Sequence, residues 1–219
     1  MILSYFAMKR VSLSLVFTLI TLFSLYPQED PVALAVLDRF AAAAKTAPSV
    51  SMEFTMITSD AMENRKDTLE GKVVMAGDSY RLTLPESITW FNGTDNWNYM
   101  PSVKEVTITR HPDEEQSFFS KPSMLFEMYR KDFRARHTES TSTTEIIDLF
   151  PADVKSELIR VRLTIGKKTS DLIAAEYRTR NGITVTIEVK EYNLRFKPDN
   201  KYFDFNPANH KGVEIIDMR

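Results

Sequence analysis

The sequence predicts a mainly β protein with a few α-helical segments, in which about eleven strands form one incomplete, half-open antiparallel β-barrel. Apolar and polar residues alternate with a period of two through most of the chain after residue 49. Short turns, among them Asn92–Gly93 and Asn181–Gly182, separate these segments, as is typical of an antiparallel meander. A sheet this wide has to curl, split or close to bury its apolar face. Two predicted amphipathic helices are available to cover it, so a curled sheet with helices over its opening is the simplest architecture.

The N-terminal segment differs from the rest of the chain. Lys9 and Arg10 precede an uncharged apolar run that extends from Val11 to Tyr26. At roughly 15 residues this run suits the apolar region of a secretory signal and is short for a membrane-spanning helix, which needs about 20. We therefore expect residues 1–27 to be a signal peptide and residues 28–219 to be a single exported domain, with an uncleaved signal anchor as the alternative.

Composition excludes several classes of protein. The 219 residues are 43% hydrophobic and 26% charged, which is normal for a folded globular domain. The net charge of -2, without a basic stripe, argues against nucleic-acid binding. Because the chain has no cysteine, it forms no disulfide and has no thiol to carry a lipoprotein's acyl anchor. We expect a soluble monomer held together by its core.

One helix follows the N-terminal segment. Asp30 suits the N-cap, Pro31 suits the first helical position, and Pro48 ends the pattern. Apolar residues recur at helical spacing and define one buried face: Val32, Ala33, Val36, Leu37, Phe40, Ala41 and Ala44.

Strands account for most of what remains. The alternation predicts strands over 50–56, 69–75, 80–84, 88–90, 97–99, 105–108, 159–165, 174–179 and 183–190, and two short strands over 194–196 and 203–205. One segment interrupts them, since residues 120–136 are typical of a short amphipathic helix. The polar stretch 137–144 then predicts a hairpin tip or loop.

Sequence motifs give little support to an enzyme or a cofactor. There is no cysteine nucleophile, no G-x-S-x-G, no P-loop and no G-x-G-x-x-G. His111, His137 and His210 match no metal-ligand spacing. His111 precedes the acidic residues 113–115, for which a solvated loop is the simpler interpretation than an ion site. We expect neither catalysis nor a bound cofactor.

Large, soft side chains are abundant. The chain has 10 methionines, 14 phenylalanines, eight tyrosines and two tryptophans. Methionine repacks easily around differently shaped apolar guests, so this composition suits a surface that binds such guests. An ordinary β-protein core is the alternative, and composition alone does not decide between them.

Several motifs resemble the LolA family of periplasmic outer-membrane lipoprotein carriers. The run from Trp90 to Thr107, WFNGTDNWNYMPSVKEVT, resembles that family's hairpin of a strand, an Asn–Gly turn, an aromatic pair, a proline and a further strand. Other similar segments occur in the family's order: Ser49–Phe54, Gly71, Leu149–Pro151, Phe203–Phe205 and Gly212–Asp217. The resemblance covers nearly all of the chain after the signal segment.

This resemblance implies a half-barrel with helices as a lid and a hydrophobic cavity for the acyl chains of lipoproteins. It also implies a donor, an inner-membrane ABC-type lipoprotein-releasing complex, whereas it leaves open whether an outer-membrane acceptor exists. Lipid-binding residues are expected on the inward face of the strands and on the second helix: Met52, Phe54, Met56, Val73, Met75, Tyr80, Leu82, Trp90, Trp97, Tyr99, Met124, Leu125 and Met128.

One departure from the family concerns the lid. Well-known members have an Arg-Pro pair between the second and third strands, where this chain has residues 76–79 (AGDS), with Arg81 the nearest arginine. The family's release mechanism is therefore not transferred. A lipid or lipoprotein sensor, a carrier of another lipid, and an enzyme on the same scaffold remain alternatives. An anchored acceptor is disfavoured because the cysteine is missing.

Overall fold

The computed structural model describes residues 30–110, 126, 128–199 and 201–219. The predicted signal peptide, the acidic residues after His111, and Met124 and Leu125 lie outside these ranges, as does the side chain of Met128. None of the helices in the described part of the chain is both long enough and apolar enough to cross a lipid bilayer.

One α-helix and twelve strands make up the described fold, together with short 3-10 turns at Met128–Arg130 and Pro207–Asn209. The helix, α1, spans Pro31–Thr46. The strands are β1 (Val50–Asp60), β2 (Arg65–Ala76), β3 (Ser79–Thr83), β4 (Ile88–Phe91), β5 (Asp95–Met100), β6 (Glu105–Arg110), β7 (Phe133–Ser140), β8 (Thr144–Pro151), β9 (Leu158–Gly166), β10 (Leu172–Thr179), β11 (Ile183–Asn193) and β12 (Glu214–Asp217).

Helix α1 begins where the sequence predicts. The Asp30 carboxylate caps it by accepting hydrogen bonds from the backbone N–H groups of Val32 and Ala33, at 3.0 and 3.1 Å. The predicted apolar face is buried except for Val32, which is 52% exposed. At about 100° per residue the buried stripe drifts around the helix, and Val32 lies beyond its margin.

A single open sheet contains all twelve strands, in the order β12-β6-β5-β4-β3-β2-β1-β11-β10-β9-β8-β7. Neighbouring strands are antiparallel except for β12, which runs parallel to β6. The sheet consists of two meanders, β2–β6 and β7–β10, that meet at the central pair β1 and β11. The mainly β, open-sheet fold predicted from the sequence is confirmed.

The main core lies between α1 and one face of the sheet, which we call the inner face. A continuous cluster of buried side chains joins α1 to the eight neighbouring strands β4-β3-β2-β1-β11-β10-β9-β8 of the sheet. Its largest fully buried members are Phe40, Phe54, Leu37, Met52, Ile147, Leu163, Ile165, Leu172 and Ile187. The sheet therefore wraps around the helix.

A second, smaller core lies on the opposite face, which we call the outer face. Trp90 and Val106 are buried there beneath Phe205, with Ile88, Trp97, Tyr99 and Val213 packed around them. Phe205 and Val213, which precede β12 in the chain, thus cover the outer face of β4–β6.

Three predictions about individual elements are wrong. The predicted helix 120–136 reaches too far, because β7 begins at Phe133, where the sequence FRARH alternates with a period of two. The predicted loop 137–144 is also too long: only residues 141–143 connect β7 to β8, and the other residues belong to these two strands. Residues 194–196 and 203–205 form no strand, because their aromatic side chains pack onto other side chains rather than continuing the sheet.

Candidate functional site

The inner face is built by alternate residues of adjacent strands. Met52 of β1 lies opposite Val73 of β2 and Tyr192 of β11, and Phe54 lies opposite Gly71 and Val189. Directly opposed residues of antiparallel strands point to the same side of a sheet. Alternation along the chain therefore becomes one continuous apolar surface.

Gly71 makes room for the Phe54 ring. A Cβ atom at residue 71 would lie 2.5 Å from Cζ of Phe54 and 3.0 Å from Cδ2 of Leu84. The ring lies flat enough on the sheet to fill the space of the absent side chain. Glycine is thus required here for a close approach rather than for an unusual backbone angle.

The inner face continues through the second meander. Ala175 of β10 lies opposite Ile187 of β11 and Leu163 of β9, and Leu163 lies opposite Ile147 of β8. All four side chains are buried. The apolar surface therefore spans the neighbouring strands from β4 at one side, through β1 and β11, to β8 at the other, and is much wider than one helix.

Aromatic packing and polar contacts hold α1 against this surface. The rings of Phe40 and Phe126 are tilted, with their centroids 4.9 Å apart. The second oxygen of the Asp30 carboxylate accepts a hydrogen bond from the backbone N–H of His137 on β7, at 2.9 Å. This N–H group, together with those of the first helical turn, lowers the pKa of Asp30.

Asp38 forms the other polar contact of α1. Its carboxylate accepts hydrogen bonds from the Tyr129 hydroxyl at 2.5 Å and from the Arg130 guanidinium at 2.5 and 3.1 Å. The Tyr129 hydroxyl contributes most to lowering the pKa of Asp38, followed by Arg130. These contacts tie the solvent-facing side of α1 to the segment that leads into β7.

Tyrosines bring polar atoms to the inner face. Burial raises the pKa of Tyr80 to about 12, and it raises the pKa values of Tyr177 and Tyr192 as well. The Tyr192 hydroxyl is buried and forms no hydrogen bond within the described residues. It is a donor without an acceptor next to an apolar surface.

Most of the predicted lipid-binding residues that can be placed lie on the inner face. Met52, Phe54, Val73, Met75, Tyr80 and Leu82 are buried there, and Met56 is partly buried against them.

Trp90, Trp97 and Tyr99 need correction, because they lie on the outer face. Trp90 is paired with Arg81, whereas the inward Tyr80 is paired with Phe91. Trp97 faces Trp90 across the next strand pair, and so shares its face. The loop 84–87 resets the alternation between β3 and β4, and this shift is not visible in the periodicity of either strand. Phe91 is the inward aromatic residue that the sequence analysis missed.

The outer aromatic cluster is already occupied by the chain itself. Phe205 packs edge-on against Trp90 at 5.4 Å, and His210 stacks on Phe205 at 4.9 Å. The Arg81 guanidinium lies 5.1 Å from the Trp90 ring and 5.3 Å from the Tyr202 ring. This cluster anchors the C-terminal segment to the sheet.

Charged residues on the outer face pair mainly with each other. The buried Asp148 carboxylate accepts two hydrogen bonds from Arg162, at 2.7 and 2.8 Å, and Arg160 pairs with Glu176 at 2.5 Å. A groove of about 350 Å³ beside β1 and β2 is lined by the ion pairs Glu53–Lys72 and Glu70–Lys190. Within the described ranges, no group of three or more His, Asp or Glu side chains is arranged as a metal site.

Comparisons with known proteins reveal similarity in structure. Neither a protein-family model nor a curated protein sequence matches the chain. An uncharacterised conserved protein from Thermus thermophilus has a TM-score of 0.56 at 12% identity, over 85% of this chain and 99% of that chain.

Two further solved structures are similar over 78% of this chain and 96% of theirs. An outer membrane lipoprotein-sorting protein domain from Vibrio parahaemolyticus has a TM-score of 0.44 at 11% identity. A LolA superfamily protein from Nitrosomonas europaea has a TM-score of 0.42 at 14% identity. At such identities the likeness is one of fold alone.

Proposed function

We propose that this protein is a periplasmic carrier that binds the acyl chains of lipoproteins on its inner face and takes them from the inner to the outer membrane. The observation that carries this proposal is the wide apolar inner face, covered by a separate amphipathic helix. Among the described residues, α1 joins the sheet covalently only through the short link 47–49. Moving the helix away uncovers the apolar surface without breaking a strand pair.

An acyl chain can replace the apolar stripe of α1. Both are apolar and need no hydrogen-bond partner, so either one can keep the side chains of Met52, Phe54 and Val73 away from water. Moving α1 away from the sheet breaks the hydrogen bond of Asp30 with His137 and that of Asp38 with Arg130. Water can replace both, because the two carboxylates lie near the surface. Met56, Met75, Tyr80 and Leu82 complete the proposed binding surface on strands β1, β2 and β3.

Competition with the helix makes release possible. Burying a methylene contributes about 0.8 kcal/mol, so a chain of about 16 carbons offers on the order of 12 kcal/mol. Several chains fully buried without a competitor would exceed the limit of roughly -18 to -21 kcal/mol seen for non-covalent binding. Returning α1 to its site offsets part of this energy, so that cargo passes to an acceptor that binds it more tightly.

Tyr192 gives the binding surface a polar contact. Its hydroxyl is buried and unpartnered within the described chain, and the carbonyl oxygen of an acyl ester or amide is a suitable acceptor. We expect this hydroxyl to orient the head of a bound chain towards β11.

Transport needs a donor and an energy source. The sequence contains no nucleotide-binding motif, so the energy for opening the helix would come from an inner-membrane ABC-type lipoprotein-releasing complex. Export through the N-terminal segment would bring the protein into the periplasm. Binding rather than catalysis is the proposed activity.

Lipid capture by two matched variants tests this proposal. Met56 and Ile57 are adjacent on β1, both are half-buried, and they point to the inner and the outer face respectively. The wild type, Met56→Glu and Ile57→Glu are purified from the periplasm without detergent and examined by native mass spectrometry. We expect acylated lipoproteins with the wild type and with Ile57→Glu, and a strong loss with Met56→Glu.

The possible outcomes separate clearly, provided that circular dichroism shows all three proteins to be folded. Equal loss in both variants, or none in either, would contradict binding at the inner face. Free phospholipid or glycolipid in place of lipoprotein would show that the protein carries another lipid. A folded wild type that never contains any lipid would make the inner face an ordinary core.

A further inference from the structure

The inner face changes in polarity at strand β4. On β3 it presents buried apolar side chains such as Leu82, which lies opposite Thr89 of β4. Thr89 lies opposite Asn98 of β5, and Asn98 lies opposite Thr107 of β6. One row of directly opposed residues therefore passes from apolar to uncharged polar side chains without leaving the face.

A second row shows the same change. The buried Phe91 of β4 lies opposite Asn96 of β5, which lies opposite Thr109 of β6. We call the five polar side chains of the two rows the amide–hydroxyl strip: Thr89, Asn96, Asn98, Thr107 and Thr109. Asn98 is exposed and the other four are half-buried. The strip extends the proposed acyl-binding surface towards the edge of the sheet that ends in β12.

Most of the hydrogen-bonding groups in the strip are not used by the fold. The side-chain amide of Asn96 donates to the Thr109 hydroxyl at 3.4 Å, and its carbonyl oxygen is buried without a partner. The side chains of Thr89, Asn98 and Thr107 form no hydrogen bond within the described part of the chain. Hydroxyl and amide groups can both donate and accept, so the strip suits a ligand that does both.

Strand formation does not explain the residue types of the strip. Asparagine is depleted in β-strands, yet Asn96 and Asn98 lie on the same face of β5. The outer face of the second meander, in contrast, presents ion pairs such as that between Asp148 and Arg162. Two neighbouring asparagines without charged partners thus need an explanation other than strand stability.

Charges around the strip disfavour an anionic ligand. Alternation places Arg110 and Arg219, the arginines nearest to it in sequence, on the outer face beside β5. Glu105 and Glu214 lie opposite each other on the inner face, and Lys104 occupies the adjoining turn. This end of the face therefore has one cation against two carboxylates. Because a phosphate accepts hydrogen bonds only and binds best to cations, the strip is unsuited to a phospholipid head group.

Apolar side chains border the strip on its far side. Ile216 of β12 lies opposite Thr107 and is 37% exposed, and Met218, which follows β12, is 66% exposed. A polypeptide carries amide groups at every residue, with side chains of varied polarity between them. It therefore matches hydrogen-bonding groups that lie between two apolar borders, whereas a sugar would leave the outer border uncovered.

We propose that the amide–hydroxyl strip binds the polypeptide segment next to the acylated residue of a cargo lipoprotein, and so makes the protein prefer lipoproteins to phospholipids. This inference rests on the proposed function, because acyl chains on the neighbouring apolar surface bring the peptide to the strip. Backbone N–H and C=O groups of the cargo pair with the threonine and asparagine side chains. Recognition is then independent of the cargo's sequence, since every polypeptide has these groups.

A competition experiment with chain-matched ligands tests the proposal. The ligands are an N-acetylated dipalmitoylglyceryl-cysteine peptide amide without charged side chains, dipalmitoylphosphatidylglycerol and dipalmitoylglycerol. Each displaces a fluorescent fatty acid from the purified protein. We expect the wild type to bind the lipopeptide about tenfold more tightly than either of the other ligands, as one or two net hydrogen bonds provide.

A pair of matched variants locates the preference. Asn98→Leu/Thr107→Val removes two hydrogen-bonding groups, nearly keeps the side-chain shapes and leaves the net charge unchanged. It should bind the lipopeptide and dipalmitoylglycerol equally well. Thr184→Val/Thr186→Val is the control, because both threonines are half-buried on the outer face of β11, and it should keep the wild-type preference.

A third variant tests the argument from charge. Asn98→Lys places a cation within the strip, and it should raise the affinity for dipalmitoylphosphatidylglycerol about fivefold. Asn98→Gln keeps an uncharged amide at the same position and should not raise this affinity. An equal gain in both variants would show that charge does not exclude the phospholipid, and would contradict the proposed selectivity.

The remaining outcomes separate this proposal from the carrier function. If the wild type binds dipalmitoylglycerol but gains nothing from the peptide, the carrier function stands and the strip is ordinary solvated surface. A preference that persists in Asn98→Leu/Thr107→Val, or that the outer-face control also loses, would likewise overturn the role of the strip. If none of the ligands displaces the fatty acid, the proposed carrier function fails, and this inference fails with it.

Discussion

Replacing Gly71 with alanine puts a methyl group where the Phe54 ring lies. The new Cβ atom would be 2.5 Å from one ring carbon and 2.7 Å from the next, well inside van der Waals contact. Phe54 is fully buried and Leu84 blocks the other side, so neither the ring nor the strand can shift freely. Overpacking of this kind costs about 1–3 kcal/mol, and we expect Gly71→Ala to lower the free energy of unfolding by that amount.

A double-mutant cycle identifies the cause. Phe54→Leu removes the ring atoms that clash, so the Phe54→Leu/Gly71→Ala protein should be more stable than the sum of the single effects predicts, by about 1 kcal/mol. Gly77→Ala is the control, because Gly77 has φ +57° with no atom within 4 Å of its added Cβ. Its cost of about 1–2 kcal/mol comes from the backbone and should not depend on residue 54.

Urea denaturation followed by far-ultraviolet circular dichroism measures all of these proteins. A Gly71→Ala protein as stable as the wild type would mean that the inner face adapts to an extra methyl group. A cycle without favourable coupling would mean that the cost does not arise from the Phe54 ring. Either result would refute the fit between residues 54 and 71.

Substitutions at three other residues have defined outcomes. Asp30→Ala should destabilise the fold by about 1–2 kcal/mol in urea denaturation through loss of the cap and of the contact with His137. Folding lowers the pKa of Asp30 from its ordinary value of 3.8, so the ionised carboxylate stabilises the fold at pH values above 3.8 and this contribution is lost as the pH falls below it. The difference in melting temperature between the wild type and Asp30→Asn should therefore become smaller at lower pH. Asp148→Ala should cost about 2 kcal/mol in the same assay, since it leaves Arg162 without its carboxylate; an unchanged midpoint would contradict a structural role for this pair. Phe205→Ala should cost about 3 kcal/mol and shift tryptophan emission to the red, because the segment that includes Phe205 covers Trp90 and packs against Trp97; unshifted emission would show that both rings stay covered.

Periodicity correctly predicted those features that depend only on the residues of one helix or one strand. The 3.6-residue pattern located α1, and strict alternation placed Met52, Phe54, Val73 and Met75 on one face. Within one unbroken strand, alternation determines the face of every residue. This part of the candidate site could therefore be predicted without a structure.

The rest depends on loops and on distant parts of the chain. The inward or outward position of Trp90 depends on how residues 84–87 connect β3 to β4, and a change of one residue reverses the face. Phe205 and His210 cover Trp90 from more than 100 residues away, and no local pattern predicts this contact. The polar contacts of Asp38 with Tyr129 and Arg130 likewise join segments that are distant in sequence.

The pairing of β1 with β11 sets the order in which the protein can assemble. Each meander is made of neighbours in sequence and can form from a local stretch of chain, but Met56 meets Ile187 only after closing a loop of roughly 130 residues. Contacts this distant slow folding, because the entropy of closure is lost before the contacts form. The chain must therefore hold two half-sheets with exposed apolar faces until the strand after Gly182 has joined the sheet. Joining β1 to β11 completes the apolar surface against which α1 packs. The helix can therefore make all of its contacts only when nearly the whole chain is present.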